Sequence, residues 1–220
     1  MHALLLTLVA VTTVPAPDRP LDLRTVIDRV QKRYEQAKDF RARFAQDYSR
    51  VVMGRSTLSA GWVTFKKPGR MRWDYDKPEP RTFVSNGQVL WLYEPADKQA
   101  FRQGLKNSQL PAALAFLMGK GKLVDEFDVS FAKDARQGRP GDYRLMLVPK
   151  EPQSAYQSIL FVVDPREFLV RETVLIDQQG NTNHFVFEHS KVNDNVPESL
   201  FQWSPPPGVR VIDTDHMSDQ

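Results

Sequence analysis

The sequence predicts an α+β chain, mainly antiparallel β, in which about twelve short strands curl into an incomplete, half-open β-barrel with helices forming a lid over its concave face. Three observations carry this expectation. A helical period occurs once near the start, over Leu23 to Tyr34; alternation of period two then recurs almost to the end, punctuated by Gly, Pro and Asn turns; and one stretch without alternation, Ser108 to Met118, interrupts the strands. At 220 residues the chain is long enough for one large β-rich domain, placed here at residues 21–213. No repeat with a period of about 20–50 residues is present.

Ala3 to Val14 is an apolar run broken by three threonines, too short to span a bilayer and suited to the hydrophobic region of an export signal. Residues 1–16 are read as that signal, with the small residue Ala16 at its end, although the run is preceded by His2 and by no Lys or Arg. Asp22 then stands as a helix N-cap before Leu23, Val26, Ile27, Val30 and Tyr34, which share one helical face; Arg24, Asp28, Arg29, Lys32 and Glu35 occupy the other. Phe40, Ala42, Phe44, Gln46 and Tyr48 switch to strand spacing, a second strand follows over Thr57 to Lys66, and Pro68-Gly69 turns the chain.

Gly61 to Pro95 holds three of the four tryptophans. Met71, Trp73 and Tyr75 alternate with Arg70, Arg72, Asp74 and Asp76, the pattern of a strand with one apolar and one solvated face. Asn86-Gly87 separates Thr82–Ser85 from Val89–Tyr93 and is read as a type I′ hairpin turn. Val89, Trp91 and Tyr93 are expected to pool with Met71, Trp73 and Tyr75 into one broad aromatic face. Lys98 to Phe101 is a further short strand. The Ser108–Met118 segment is expected to be a helix, with Pro111 in its first turn, Leu114, Leu117 and Met118 on its apolar side and Gly119 and Gly121 beyond it. Strands resume at Phe127–Phe131, Tyr143–Val148, Ser158–Val163, Leu169–Asp177 and Thr182–His189, and Pro197–Phe201 reads as one helical turn.

Composition and motif searches argue against most catalytic and nucleic-acid functions. Thirty basic and 27 acidic residues leave a formal charge of +3, interspersed rather than striped, which does not suit a row of phosphates. The absence of cysteine excludes disulfides, thiolate metal sites, a cysteine nucleophile and a lipid-bearing cysteine on this chain. His184 and His189 are five apart on a predicted strand, so they point to opposite faces and do not chelate one metal. Neither Ser85 nor Ser158 sits in a Gly-x-Ser-x-Gly elbow, and no phosphate-binding glycine loop occurs. The expectation is a binding protein with no enzyme activity, cofactor or metal.

Lys67-Pro68, Met71-Arg72-Trp73, Ser85-Asn86-Gly87 and Leu90-Trp91-Leu92-Tyr93-Glu94-Pro95, together with the closing Pro205-Pro206-Pro207-Gly208-Val209, resemble the periplasmic lipoprotein carrier family, LolA. The resemblance implies a half-barrel closed by helices that takes a lipoprotein's acyl chains from an inner-membrane ABC transporter and delivers them to an outer-membrane acceptor. It makes acylated lipoprotein the cargo and the periplasm the location, with no stable membrane insertion; a carrier that encloses its ligand can work as a monomer, and the scattered charge argues against nucleic acid as a partner. The expected acyl-chain-binding residues are Phe65, Met71, Trp73, Tyr75, Phe83, Trp91, Tyr93, Leu114, Leu117 and Met118. Lys67 stands where the family has an arginine that bonds helix backbone to hold the lid, and a lysine point donor holds geometry less tightly than a guanidinium fork. A lipid-sensing module of the same fold, or a carrier of another lipid, remains an alternative at this level.

Overall fold

The first helix forms where the capping and apolar signals coincide. In the computed structural model, which describes residues 21–52, 54–105, 121–133 and 136–215, Asp22 accepts hydrogen bonds from the Thr25 backbone N–H at 2.9 Å and its hydroxyl at 2.7 Å. Helix α1 (Leu23–Gln36) follows and buries Val26, Ile27, Val30 and Tyr34. The expected export segment and the expected helix at 108–118 lie outside the described residues.

The strands are β1 (Asp39–Arg50), β2 (Arg55–Lys66), β3 (Arg70–Lys77), β4 (Arg81–Ser85), β5 (Val89–Glu94), β6 (Gln99–Gly104), β7 (Phe127–Phe131), β8 (Tyr143–Pro149), β9 (Ser158–Val163), β10 (Val170–Ile176), β11 (Thr182–Val192) and β12 (Arg210–Asp213), with a single turn of helix, α2 (Leu123–Glu126), before β7. They form one sheet in the order β12-β6-β5-β4-β3-β2-β1-β11-β10-β9-β8-β7. Two antiparallel meanders, β1 to β6 and β7 to β11, are thus joined where β1 pairs with β11, and β12 adds in parallel to β6. Among the described residues the two edge strands, β7 and β12, do not pair, so the sheet is open as expected.

One face of this sheet is apolar along its width, and α1 packs on only part of it. Val26, Val30 and Tyr34 meet Leu145, Leu147, Ile159, Phe161 and Val170 over β8 to β10. Tyr34 also replaces a missing strand partner: its hydroxyl accepts the Val170 N–H at 3.1 Å, and burial raises its pKa above that of free tyrosine. A second cluster, Phe40, Ala42, Phe44, Val63, Phe65, Met71 and Phe187, lies on β1, β2, β3 and β11.

The opposite face is crossed by the segment after β11. The buried Asp39 carboxylate accepts the N–H groups of Asp194 and Val196 at 2.7 and 3.2 Å. Lys66 and Arg70 hold Glu198 at 3.2 and 2.9 Å, and Arg72 donates to the Leu200 carbonyl at 3.1 Å. The helical turn expected at 197–201 is a 3-10 turn over Glu198–Phe201, and it buries Phe201.

The Asn86-Gly87 turn differs from expectation. Only Gly87 has positive φ, +96°, whereas type I′ needs two such residues. The Asn86 side chain instead accepts the Gln88 and Val89 N–H groups at 2.9 and 3.0 Å, so its carboxamide does the turning that a second left-handed residue would have done.

At Gly61 the neighbouring strand and a packed ring leave no room for a side chain. A Cβ there would stand 2.0 Å from the Asp74 carbonyl oxygen and 2.8 Å from a Phe44 ring carbon. Gly61→Ala is expected to cost about 3 kcal/mol, because both obstacles are packed. Urea denaturation of the purified protein measures it, and a loss below about 0.5 kcal/mol would mean that the β2–β3 register is looser than described.

Candidate functional site

The half of the apolar face that α1 leaves uncovered is an aromatic layer centred on Trp73. Its indole meets Phe44, Phe185 and Phe65 at centroid distances of 5.0, 5.3 and 5.8 Å. Tyr75 meets Phe44 at 4.8 Å and Phe83 at 5.9 Å, and the Arg81 guanidinium lies 4.2 Å over the Tyr75 ring. Phe185 and Phe187 stack at 6.2 Å. Phe65 and Met71 are buried, but Trp73, Tyr75, Phe83, Leu90 and Phe185 remain partly exposed. This layer combines apolar area with access from outside.

Phe65, Met71, Trp73, Tyr75 and Phe83 lie together on this face, since the register sets Phe65 opposite Met71 and Trp73 opposite Phe83. Trp91 and Tyr93 do not. Phe83 pairs with Leu92 and Ser85 with Leu90, so the even-numbered residues of β5 join the aromatic layer and the odd-numbered ones point the other way. There Trp91 and Tyr93 meet Trp203 at 5.2 and 5.4 Å. The expected pooling of Val89, Trp91 and Tyr93 with Trp73 is therefore corrected. A signal for this existed: even a two-residue turn at Asn86-Gly87 sets Ser85 opposite Gln88, which already places Phe83 beside Leu90. Leu114, Leu117 and Met118 lie outside the described residues.

Several residues of the layer were not singled out from sequence, namely Phe40, Phe44, Leu90, Leu92, Phe185 and Phe187. The alternation of Phe40, Phe44, Phe185 and Phe187 was visible in β1 and β11, but nothing local says that strands about 140 positions apart are neighbours. Between Tyr34, Phe40, Phe65, Val170 and Phe187 the packed rings enclose a hole of only about 10 Å³. That hole is far smaller than the roughly 300–1,000 Å³ of a typical small-molecule cavity.

Lys67 lies beside the end of α1. Its ammonium donates to the Tyr34 carbonyl at 2.7 Å and the Glu35 carbonyl at 2.9 Å, two of the last-turn acceptors that a helix leaves unsatisfied. Burial lowers its pKa from the ordinary lysine value, and the neighbouring Glu35 carboxylate partly offsets this. A single side chain from the β2–β3 turn thus ties the helix to the rim of the aromatic layer.

The family model of the outer membrane lipoprotein carrier protein LolA matches residues 35–204. The chain belongs to this family. An outer-membrane lipoprotein carrier protein of Pseudomonas entomophila (strain L48) is 31% identical over 216 residues, covering 96% of this chain and 99% of that one. One from Chromobacterium violaceum is 29% identical over 174 residues, 77% of this chain and 80% of its own. The fold is also similar to an uncharacterized conserved protein from Thermus thermophilus, with a TM-score of 0.55 at 13% identity, covering 86% of this chain and 98% of that one. In this LolA-family chain the lysine at position 67 makes backbone bonds to a helix despite lacking a guanidinium fork.

Lys67→Met keeps the stem and removes both donors. It is expected to weaken the seating of the α1 end by about 1–2 kcal/mol, seen as roughly tenfold faster amide hydrogen exchange there. Unchanged exchange would show that the amine does not hold the helix.

Proposed function

We propose that this chain is a periplasmic carrier that receives the acyl chains of lipoproteins on the Trp73-centred face, and shuttles them from an inner-membrane ABC transporter to an outer-membrane acceptor. The observation that carries the reading is the aromatic layer left uncovered by α1, in a chain whose relatives are named outer-membrane lipoprotein carrier proteins. Phe65, Met71, Trp73, Tyr75 and Phe83 form the wall, and Leu90 and Leu92 extend it in place of Trp91 and Tyr93. The carrier domain spans residues 21–213, exported by the segment at 1–16 and working as a monomer.

Acyl chains need no catalytic group to bind. Each Å² of apolar surface withdrawn from water contributes about 25 cal/mol, so a chain laid along these rings is held by area rather than by polar contacts. Opening requires the end of α1 to lift, and Lys67 is the latch: its two bonds are made to the moving helix, while its own backbone belongs to the sheet. Leu114, Leu117 and Met118 are proposed as further acyl-chain contacts.

The reading distinguishes the two faces of β5. Trp73→Glu places a charge within the wall and is expected to reduce binding of a fluorescent diacylated peptide at least about a hundredfold, given a cost of several kcal/mol for an unpaired buried charge. Trp91→Arg, on the other face, is expected to leave that binding within about threefold while lowering stability through loss of the Trp203 contact. Equal loss in both folded variants, or retention in Trp73→Glu, would overturn the assignment of the face.

A further inference from the structure

The face that carries the aromatic layer changes character along its length. On β2, Phe65 and Val63 lie nearest Lys67, and Ser59 and Thr57 follow on the same side of the strand beyond Gly61. The strands beside it make the same switch at the same end. Phe44 gives way to Gln46 on β1, Phe83 to Arg81 on β4 and Leu92 to Glu94 on β5. An apolar wall thus runs into a polar shelf on one continuous face, at the end of the sheet away from Lys67.

A pocket of about 120 Å³ opens on that shelf. Thr57, Ser59, Arg81 and Glu94 line it from the strands, and Glu79 and Asp97 from the β3–β4 and β5–β6 turns. Arg81 is half-buried and stands opposite Tyr75 in the β3–β4 register, with its guanidinium over the Tyr75 and Phe83 rings at 4.2 and 5.9 Å. It is the first charged side chain beyond the rings of the wall. Although three carboxylates line the same pocket, Arg81 forms no ion pair among the described residues.

The size and charge of the pocket narrow what fits it. It is smaller than the roughly 300–1,000 Å³ that takes a whole small molecule, and it adjoins the wall through Arg81, so it suits the polar end of a ligand whose apolar remainder lies outside. A phosphate brought here meets three carboxylates against one guanidinium. An ester or amide carbonyl is uncharged, and finds donors in the Arg81 N–H groups and the Ser59 and Thr57 hydroxyls.

We infer that this pocket is a head subsite, in which Arg81, with Ser59 and Thr57, donates to the ester and amide carbonyls at the acylated end of a lipoprotein, while its chains run over Trp73 toward Lys67. Glu79, Glu94 and Asp97 disfavour a phosphodiester head, so the site selects acylated peptide over anionic phospholipid. The inference rests on the carrier reading of the Trp73 face, and adds to it a direction for the cargo and a choice of head.

Calorimetric titration of the full chain with two ligands of equal chains tests it: an N-acetylated dioctanoylglyceryl-cysteinyl peptide and dioctanoyl phosphatidylglycerol. The neutral dye N-phenyl-1-naphthylamine, which has no carbonyl, reports on the wall alone. The parent is expected to bind the peptide at least about tenfold more tightly than the phospholipid, and E79Q/E94Q to narrow that preference about fivefold. Arg81→Met keeps a stem over Tyr75 and is expected to weaken peptide binding about tenfold more than dye binding. Arg81→Lys, which keeps the charge and loses the fork, is expected to show a smaller loss and stands in if Arg81→Met does not fold. Equal losses of peptide and dye in a folded Arg81 variant, or a parent that holds the phospholipid as tightly as the peptide, would overturn the inference and leave the Trp73 face a carrier wall. A parent that binds neither peptide nor dye, or a Trp73→Glu variant that binds both as the parent does, would overturn the carrier reading and this inference with it.

Discussion

The pairing of β1 with β11 is the constraint on which the remainder of the molecule depends. β1 is hydrogen-bonded along both edges, to its hairpin partner β2 and to a strand about 140 residues away, and through it two meanders become a single sheet. That junction also assembles the aromatic layer. Phe44 on β1 stands between Trp73 and Tyr75 on one side and Phe185 on the other, contacts that exist only if both edges of β1 are occupied in this register.

Size then dictates what the helix can and cannot do. Twelve strands at about 4.8 Å spacing are roughly 50 Å across before curvature, whereas α1, with 14 residues, is about 21 Å long and 10 Å wide. One such helix cannot cover the apolar face of such a sheet. It seats over β8 to β10, where its stripe of Val26, Val30 and Tyr34 finds aliphatic partners, and the aromatic half remains partly accessible.

The far face shows a complementary economy. The segment from Asn193 to Trp203 is tied down by Asp39, Lys66, Arg70 and Arg72, all from β1, the β2 end and β3, and it lays Phe201 and Trp203 over the outward residues of β3 to β5. Without that strap Trp91 and Tyr93 would be a second exposed aromatic patch. The strap makes them ordinary packing, so Trp73 on β3 and Trp91 on β5 lie on opposite faces of the sheet.

Local periodicity determined the elements: the capped helix at Leu23–Gln36 and the strands of both meanders were legible, because each depends on residues within a few positions of one another. So were Phe65, Met71, Trp73, Tyr75 and Phe83 as one face, since their hairpins are sequential. The placement of Trp91 and Tyr93 went astray on a turn in which Asn86 acts through its side chain and not through positive φ, although strand parity alone would have corrected it. What only the tertiary structure decided was the long-range register. The β1–β11 junction, the recruitment of Phe185 and Phe187, the strap over Trp91 and the bonds from Lys67 to Tyr34 and Glu35 join residues far apart in the chain. Their energies arise from burial and hydrogen bonds that no local pattern encodes.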